Sequence, residues 1–425
     1  MLLGLGLNLA NSTVISAKWW QSLYDDPIMA ADFRNNRYAL NNSEDELSAV
    51  LANTRSSVKY IADIDGLYTL SPVNSLAINQ LGLDISPALE NISHYSNDAT
   101  QWSVDGATIS DPGVTVDMGA FTAKAADVVS NGAIWNRARF AFSSSFLNGT
   151  PFAIKIYYLS STSGEVRIVF RDSGNGVESY LTGPVGNISL DTTDAGSVTQ
   201  IRQTSFTSAD GKTIYKFECL FTPNANSIGT FGIGPNSAVF GEGLRVVAGQ
   251  VVVHPALTDS FILTSGSSVI QAADNITFVN PELYPISNTG TWFLKGQIRN
   301  PTTSADAFHM IRMRASASED IQIYNGAVAG KLRTRITAGG IERADLVSDY
   351  TANQDFRYVC SYDVGNATSY YDSAQLQTGT PAALPTGAAS IALGHDLASN
   401  NAFDGRIYDL VRWNTAKPNT FAQNL

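Results

Sequence analysis

Cysteine is almost missing from this 425-residue chain: only Cys219 and Cys360 occur. Each sits in an alternating run, "TIYKFECLF" and "FRYVCSYDVG", and both are expected to be buried free thiols. Two cysteines make no disulfide scaffold and no cysteine metal cluster, and a single long-range disulfide between them is the alternative reading. Histidine is scarce as well. His94, His254, His309 and His395 form no HxH or HExxH pair, so a histidine metal centre is not expected. His395 beside Asp396 reads as a loop histidine in a local hydrogen bond. GxSxG, P-loop and CxxC motifs are not found in the sequence. Charged residues make up 15% of the chain, against about 25% in an average soluble protein. Asn, Ser, Thr and Gln must solvate much of the surface. The net charge of −11 argues against nucleic-acid binding through a basic stripe. No apolar run reaches the roughly 18 residues of a membrane-spanning helix, so membrane insertion is not expected.

What is present is β pattern. Hydrophobic residues account for 44% of the chain, enough for more than one core. "FAIKIYYLS" places Phe152, Ile154, Ile156 and Tyr158 on one face. "EVRIVFRD" turns Val166, Ile168 and Phe170 inward and Arg167 and Arg171 outward. "TIYKFECLF" repeats the pattern with Tyr215, Phe217, Cys219 and Phe221. Gly-rich turn signals such as "DSGNG" and "SADGK" separate these runs. Short alternating strands at this spacing predict an antiparallel β-sandwich or jelly roll. A second series starts near "TWFLKGQIRN", with Trp292, Leu294 and Ile298 aligned, and ends with "FDGRIYDLVRWN". There Phe403, Gly405, Ile407, Val411 and Trp413 are expected on one face, with Asp409 as a hydrogen-bonded or bulge-turned exception.

The first 98 residues read differently. "MLLGLGLNLA" has the hydropathy of a signal segment, but the first basic residue is Lys18. It is expected to stay in the mature chain as an anchor. Ser43 and Glu46 suggest a capping box before a short helix. "VKYIADIDGLYTL" reads as a hairpin around Asp65-Gly66. The expected organisation is an irregular α+β anchoring and oligomerisation region at 1–98, a β-sandwich at 99–260, a connector at 261–287 and a second sandwich at 288–425.

Three stretches together resemble a family of bacteriophage and prophage virion proteins. They are "DFRNNRYAL…TRSSVKYIADIDGLYTL…LGLDISPALENISHYSNDATQW", "SFILTSGSSVIQAADNITF" and "FDGRIYDLVRWN". The last looks like the closing strand of a laminin-G/concanavalin A-like domain. The resemblance implies a tail-fibre, tail-tip or capsid-spike subunit on the virion surface that contacts host surface polysaccharide. It implies no catalytic residue. Other readings are an architectural fibre base, a polysaccharide depolymerase and a secreted lectin.

Sugar rings stack on exposed aromatics, which makes Trp102, Trp135, Tyr157, Trp292 and Tyr370 the carbohydrate-binding candidates. No cofactor is required. Calcium is the one ion that sandwich loops would hold, through Asp363, Asn366, Asp372 and Asp404. Trp19, Trp20, Tyr24 and Phe33 are candidates for particle anchoring through other virion proteins. Val73, Leu76, Ile78, Leu81, Leu83 and Ile85 lie in an irregular stretch and would be buried between copies in a homotrimer.

Overall fold

The computed structural model describes residues 18–140, 145–287, 289–299, 307–326, 328–372, 374–397 and 402–425. The apolar opening "MLLGLGLNLA" lies outside the described residues. Antiparallel sheets dominate, packed as two β-sandwiches.

In the first sandwich a six-stranded sheet runs in the order Ser103–Asp105, Arg137–Arg139, Gly229–Pro235, Glu165–Asp172, Val177–Pro184, Ser189–Thr193. An eight-stranded sheet built around Gly243–Val253, Phe152–Ser161 and Thr213–Pro223 faces it. The alternation read from the sequence holds. Phe152, Ile154, Ile156, Val166, Ile168, Phe170, Phe217, Cys219 and Phe221 all enter the core between the two sheets. Phe146, Phe170, Phe221 and Phe231 meet at its centre with ring separations of 4.8 to 5.8 Å. Both cysteines are free and buried.

In the second sandwich a ten-stranded sheet contains Gly405–Trp413, Gly290–Ile298 and Asp355–Asp363. It faces a seven-stranded sheet that includes Glu319–Gly326 and Val328–Ala338. Trp292, Leu294, Ile298, Phe403 and Ile407 lie in the core between them. The last strand departs from simple alternation. Lys295 pairs with Asp409 and Gly296 with Ile407, so Tyr408 is an extra, bulged residue. The bulge reverses the faces beyond it. Leu410 points into the core, while Val411 and Trp413 point to the outer face instead of joining Phe403 and Ile407.

The first 98 residues do not form a separate region, and 261–287 is more than a connector. Met29–Asp32 pairs with Gly405–Trp413, as does Gly82–Ile85. Leu51–Asn53 extends the seven-stranded sheet through Ile276–Phe278, and Leu89–Asn91 joins the first sandwich beside Val269–Gln271. The strands are short, and each needs a distant partner. Lys59–Ala62 and Tyr68–Ser71 form the expected hairpin, with Asp63 accepting from the Asp65 and Leu67 amides across its turn. Ser43 is not a helix cap. It lies in the strand Ser43–Asp45, and the helix begins at Leu47 behind Glu46, without a side-chain cap. The anchoring aromatics are used internally. Trp20 and Tyr24 pack with Phe293, Val359 and Trp413 on the outer face of the ten-stranded sheet, and Phe33 is in the core. Leu83 and Ile85 are fully buried, with Leu76 and Ile78 packed beside them. The chain itself covers most of the stretch that a trimer was expected to bury.

Where the halves meet, four cations and four anions are paired. Arg55 and Lys59 hold Asp274, and Lys59 also holds Asp84 at 2.9 Å. Arg299 contacts Asp84, Asp259 and Asp404, the last at 2.7 Å, and Arg406 contacts Asp259 at 2.9 Å. His254 Nε2 lies 2.8 Å from Asp404. Burial alone would raise the Asp84 carboxyl, but the charges of Arg299 and Lys59 outweigh it and hold it at about 2. Its contribution is therefore complete above the ordinary value of 3.8 and is lost as pH falls toward about 2.

Removing one partner of such a cluster leaves buried charges unpaired. Arg299→Met is expected to lower stability by about 3–5 kcal/mol in chemical denaturation. A loss under about 1 kcal/mol would contradict the role given to Arg299. Deleting residues 1–98 is expected to unfold both sandwiches, because it removes strands from each together with Arg55, Lys59 and Asp84. A truncated chain with a cooperative thermal transition and native circular dichroism would show the opposite.

Candidate functional site

One face stands out, the outer face of the six-stranded sheet. On Arg137–Arg139, Ala138 faces the core, so Arg137 and Arg139 face outward. On Glu165–Asp172 the inward Val166, Ile168 and Phe170 leave Arg167 and Arg171 outward, as their alternation predicts. Between these strands runs Gly229–Pro235, whose Phe231 and Ile233 fill the core while Gly232 and Gly234 face out. A Cβ at Gly232 would come within 2.7 Å of the Ala138 carbonyl oxygen, and one at Gly234 within 2.2 Å of that of Asn136. The two glycines leave room for the Arg137 side chain, whose stem lies over Gly232 on its way to Glu178.

The resulting groove, of about 680 Å³, is lined by Asp105, Ile134, Trp135, the four arginines, Ser173 and Glu178. Glu178, across the sheet on Val177–Pro184, is its electrostatic hub. It accepts from Arg137 Nη1 at 3.0 Å, Arg171 Nη1 at 2.8 Å and Arg167 Nη2 at 3.1 Å. Asp105 accepts from Arg137 Nη2 at 3.2 Å and lies 3.3 Å from Arg139 Nε. The Arg167 guanidinium also covers the Tyr180 ring at 4.2 Å. Burial would raise the Glu178 carboxyl, but hydrogen bonds from Arg137 and Arg171 and the neighbouring positive charges hold it below its usual range. The Arg137 and Arg167 side chains are nearly buried, whereas Arg139 and Arg171 are 32% and 39% exposed.

Trp135 borders this groove and is half exposed. Gly106 seats its ring: φ is +58°, and a Cβ there would lie 2.5 Å from the indole. The loop carrying Trp135 is tied to the neighbouring 236–242 loop by Asn136 Nδ2 donating to the Ser237 carbonyl at 2.5 Å. That second loop exposes Val239 and Phe240.

The other aromatic candidates are buried. Trp102 donates to the Tyr95 carbonyl at 3.0 Å and packs on Phe140. Tyr157 faces a second layer where Tyr68, Phe206 and Phe261 surround it. Trp292 lies between the sheets of the second sandwich, donating to the Met313 sulfur. Tyr370 is buried on the outer face of the ten-stranded sheet, in the cluster that holds Trp20, Trp413 and Ala422. The calcium candidates do not converge. Asp363 caps the Val364 amide, Asp372 caps the Arg357 amide, Asn366 is exposed at a turn and Asp404 belongs to the buried cluster. Among the described residues, no three His, Cys, Asp or Glu side chains are grouped to hold a metal ion. The sequence reading missed Arg137, Arg139 and Glu178 as site residues. The signals were there: "RAR" and "FGIG" alternate as sharply as the core strands do.

No protein-family model matches the chain, and no curated protein matches it. Among solved structures, it is similar to the Ruminococcus gnavus IT-sialidase CBM40 bound to alpha2,3 sialyllactose. The identity is 12%, over 32% of this chain and 82% of that one, with a TM-score of 0.27. It is similar to a heptameric SAP-like pentraxin from Limulus polyphemus at 10% identity, over 33% and 70% of the two chains, with a TM-score of 0.27. Mouse laminin alpha1 domains LG4-5 align at 11% identity, over 69% and 91%, with a TM-score of 0.23. These scores are too low to carry the sites of those proteins over to this chain.

Of the six tryptophans, Trp20, Trp102, Trp292 and Trp413 are buried, Trp19 is partly buried and Trp135 is half exposed. Trp135→Phe is therefore expected to remove most of the acrylamide-quenchable fluorescence. Unchanged quenching in the variant would place Trp135 in the interior.

Proposed function

We propose that the protein is a non-enzymatic attachment subunit of a virion surface, and that it holds host glycan in the arginine groove of its first sandwich. One observation carries the binding site: the half-exposed Trp135 borders an open groove lined by hydrogen-bonding side chains. A sugar ring offers an apolar face to an indole and hydroxyls to polar neighbours, which is the chemistry this groove supplies. The virion setting rests on the sequence resemblance of the N-terminal stretch and the final strand. Several copies on one particle would turn weak single sites into firm attachment through effective concentration. That repetition is the remaining ground for a trimer.

The charge state of Glu178 argues against one catalytic role, that of glycosidase general acid. A glycosidase acid must keep its proton near neutral pH, so its pKa is raised. Glu178 is held the other way by three arginines. It is placed to organise the groove, not to donate a proton.

Trp135→Ala is expected to weaken binding to host surface polysaccharide by about tenfold, the cost of one lost stacking platform. Thermal stability should stay near that of the parent, since half of the indole already meets solvent. Retained affinity in a folded Trp135→Ala protein would move the binding site elsewhere.

A further inference from the structure

We infer that the groove selects an acidic saccharide, its anionic substituent held by Arg139 and Arg171 while a neighbouring ring lies toward Trp135. This deepens the glycan reading and rests on it. The first ground is charge balance. Four guanidiniums line the groove against two carboxylates, Asp105 and Glu178, a local excess of two positive charges in a protein of net charge −11. On the seven-stranded sheet of the second sandwich Arg312, Arg333, Arg335 and Lys331 pair one to one with Asp320, Asp345, Glu342 and Asp349, with Arg314 and Arg343 outside these pairs. Exposed ion pairs stabilise little, so an unmatched excess is not explained by folding.

The second ground is how the charges are committed. Nearly buried Arg137 bridges Glu178 and Asp105 and Arg167 reaches Glu178 from within, while Arg171 and Arg139 contact the same two carboxylates from the solvent side. Arg139 and Arg171 are the two that keep substantial solvent exposure. They stand on the strands flanking the glycine strand, with backbones about 10 Å apart. Gly232 and Thr230 are registered opposite them on that strand, and the long side chain between them is that of Arg137, which lies over Gly232 and adds its own positive charge. A guanidinium fork suits a carboxylate or a sulfate equally, so the shared chemistry is an oxyanion. A nucleic acid fits less well, because one charge per nucleotide would meet the acidic remainder of the surface.

The test is calorimetric titration of the full chain with matched saccharides. The pairs are oligogalacturonate with its methyl ester, hyaluronate oligosaccharide with its carboxyl-reduced form, and dextran sulfate with dextran, alongside a thymidine oligonucleotide. At least one acidic member should bind about tenfold tighter than its neutral partner and weaken with added salt. Arg139→Gln and Arg171→Gln should each remove most of that preference, weakening the acidic member more than its neutral partner. Preference for the sulfated member alone would support the inference and identify the oxyanion as sulfate. Equal binding of acidic and neutral members, or an acidic preference untouched in both variants, would overturn the inference and leave the glycan reading standing. Binding of no saccharide, or of the oligonucleotide above all saccharides, would overturn the glycan reading with it. Both variants replace partly exposed side chains, and a matching thermal transition establishes that each has folded.

Discussion

Arg299 touches three carboxylates from three parts of the chain, and the architecture turns on that contact. Asp84 comes from the N-terminal stretch, Asp259 from the segment after the first sandwich, and Asp404 from the approach to the last strand. A buried ion costs several kcal/mol to desolvate unless its partners are close and its remaining hydrogen bonds are made. Here they are made: Arg299 also donates to the Ile85 and Gly405 carbonyls. With Lys59, Arg55 and Arg406 drawing in Asp274 and Asp259, the cluster balances four charges against four. It fixes the relation of the two sandwiches through electrostatics that tolerate little displacement.

This interlocking decides which surfaces are free to work. The outer face of the eight-stranded sheet is closed by Tyr68, Phe121 and Phe261 packing over Tyr157 and Val247. The outer face of the ten-stranded sheet carries the Trp19–Tyr24 and Asn419–Asn424 helices. Among the described residues, no such apolar layer covers the outer face of the six-stranded sheet, which instead bears the arginine groove. Glu178 keeps the guanidiniums in place before any ligand arrives, which reduces the ordering that binding would otherwise require.

Strand pattern was legible wherever alternation was long. Phe152 through Tyr158, Val166 through Phe170 and the outward Arg167 and Arg171 could all be placed from period two alone. Alternation tells which side chains share a face, but not whether another part of the chain covers that face. Tyr157 and Tyr370 lie on outer faces that residues near 68 and 261 and the Trp19–Tyr24 helix cover, whereas Trp102 and Trp292 lie in the cores between sheets. The bulge at Tyr408 had one visible sign, the acid Asp409 at an otherwise inward position, but its reversal of Val411 and Trp413 was not legible because a bulge inserts one residue without changing the pattern on either side. Apart from the hairpin at Lys59–Ala62 and Tyr68–Ser71, the N-terminal strands were not legible because each is only two to four residues long, and Met29–Asp32, Leu51–Asn53, Gly82–Ile85 and Leu89–Asn91 depend on partners far along the chain. Trp135 was singled out correctly as a surface aromatic. The arginines beside it went unjoined because they come from two strands that only the sheet order makes near neighbours.

The central claim is that binding happens on the outer face of the six-stranded sheet, and hydrogen exchange measures that location directly. With host surface polysaccharide added to the full chain, amides in Arg137–Arg139, Glu165–Asp172 and the loop carrying Trp135 should exchange more slowly, while those of the second sandwich should not change. Protection confined to the second sandwich, with the six-stranded sheet unaffected, would contradict the account.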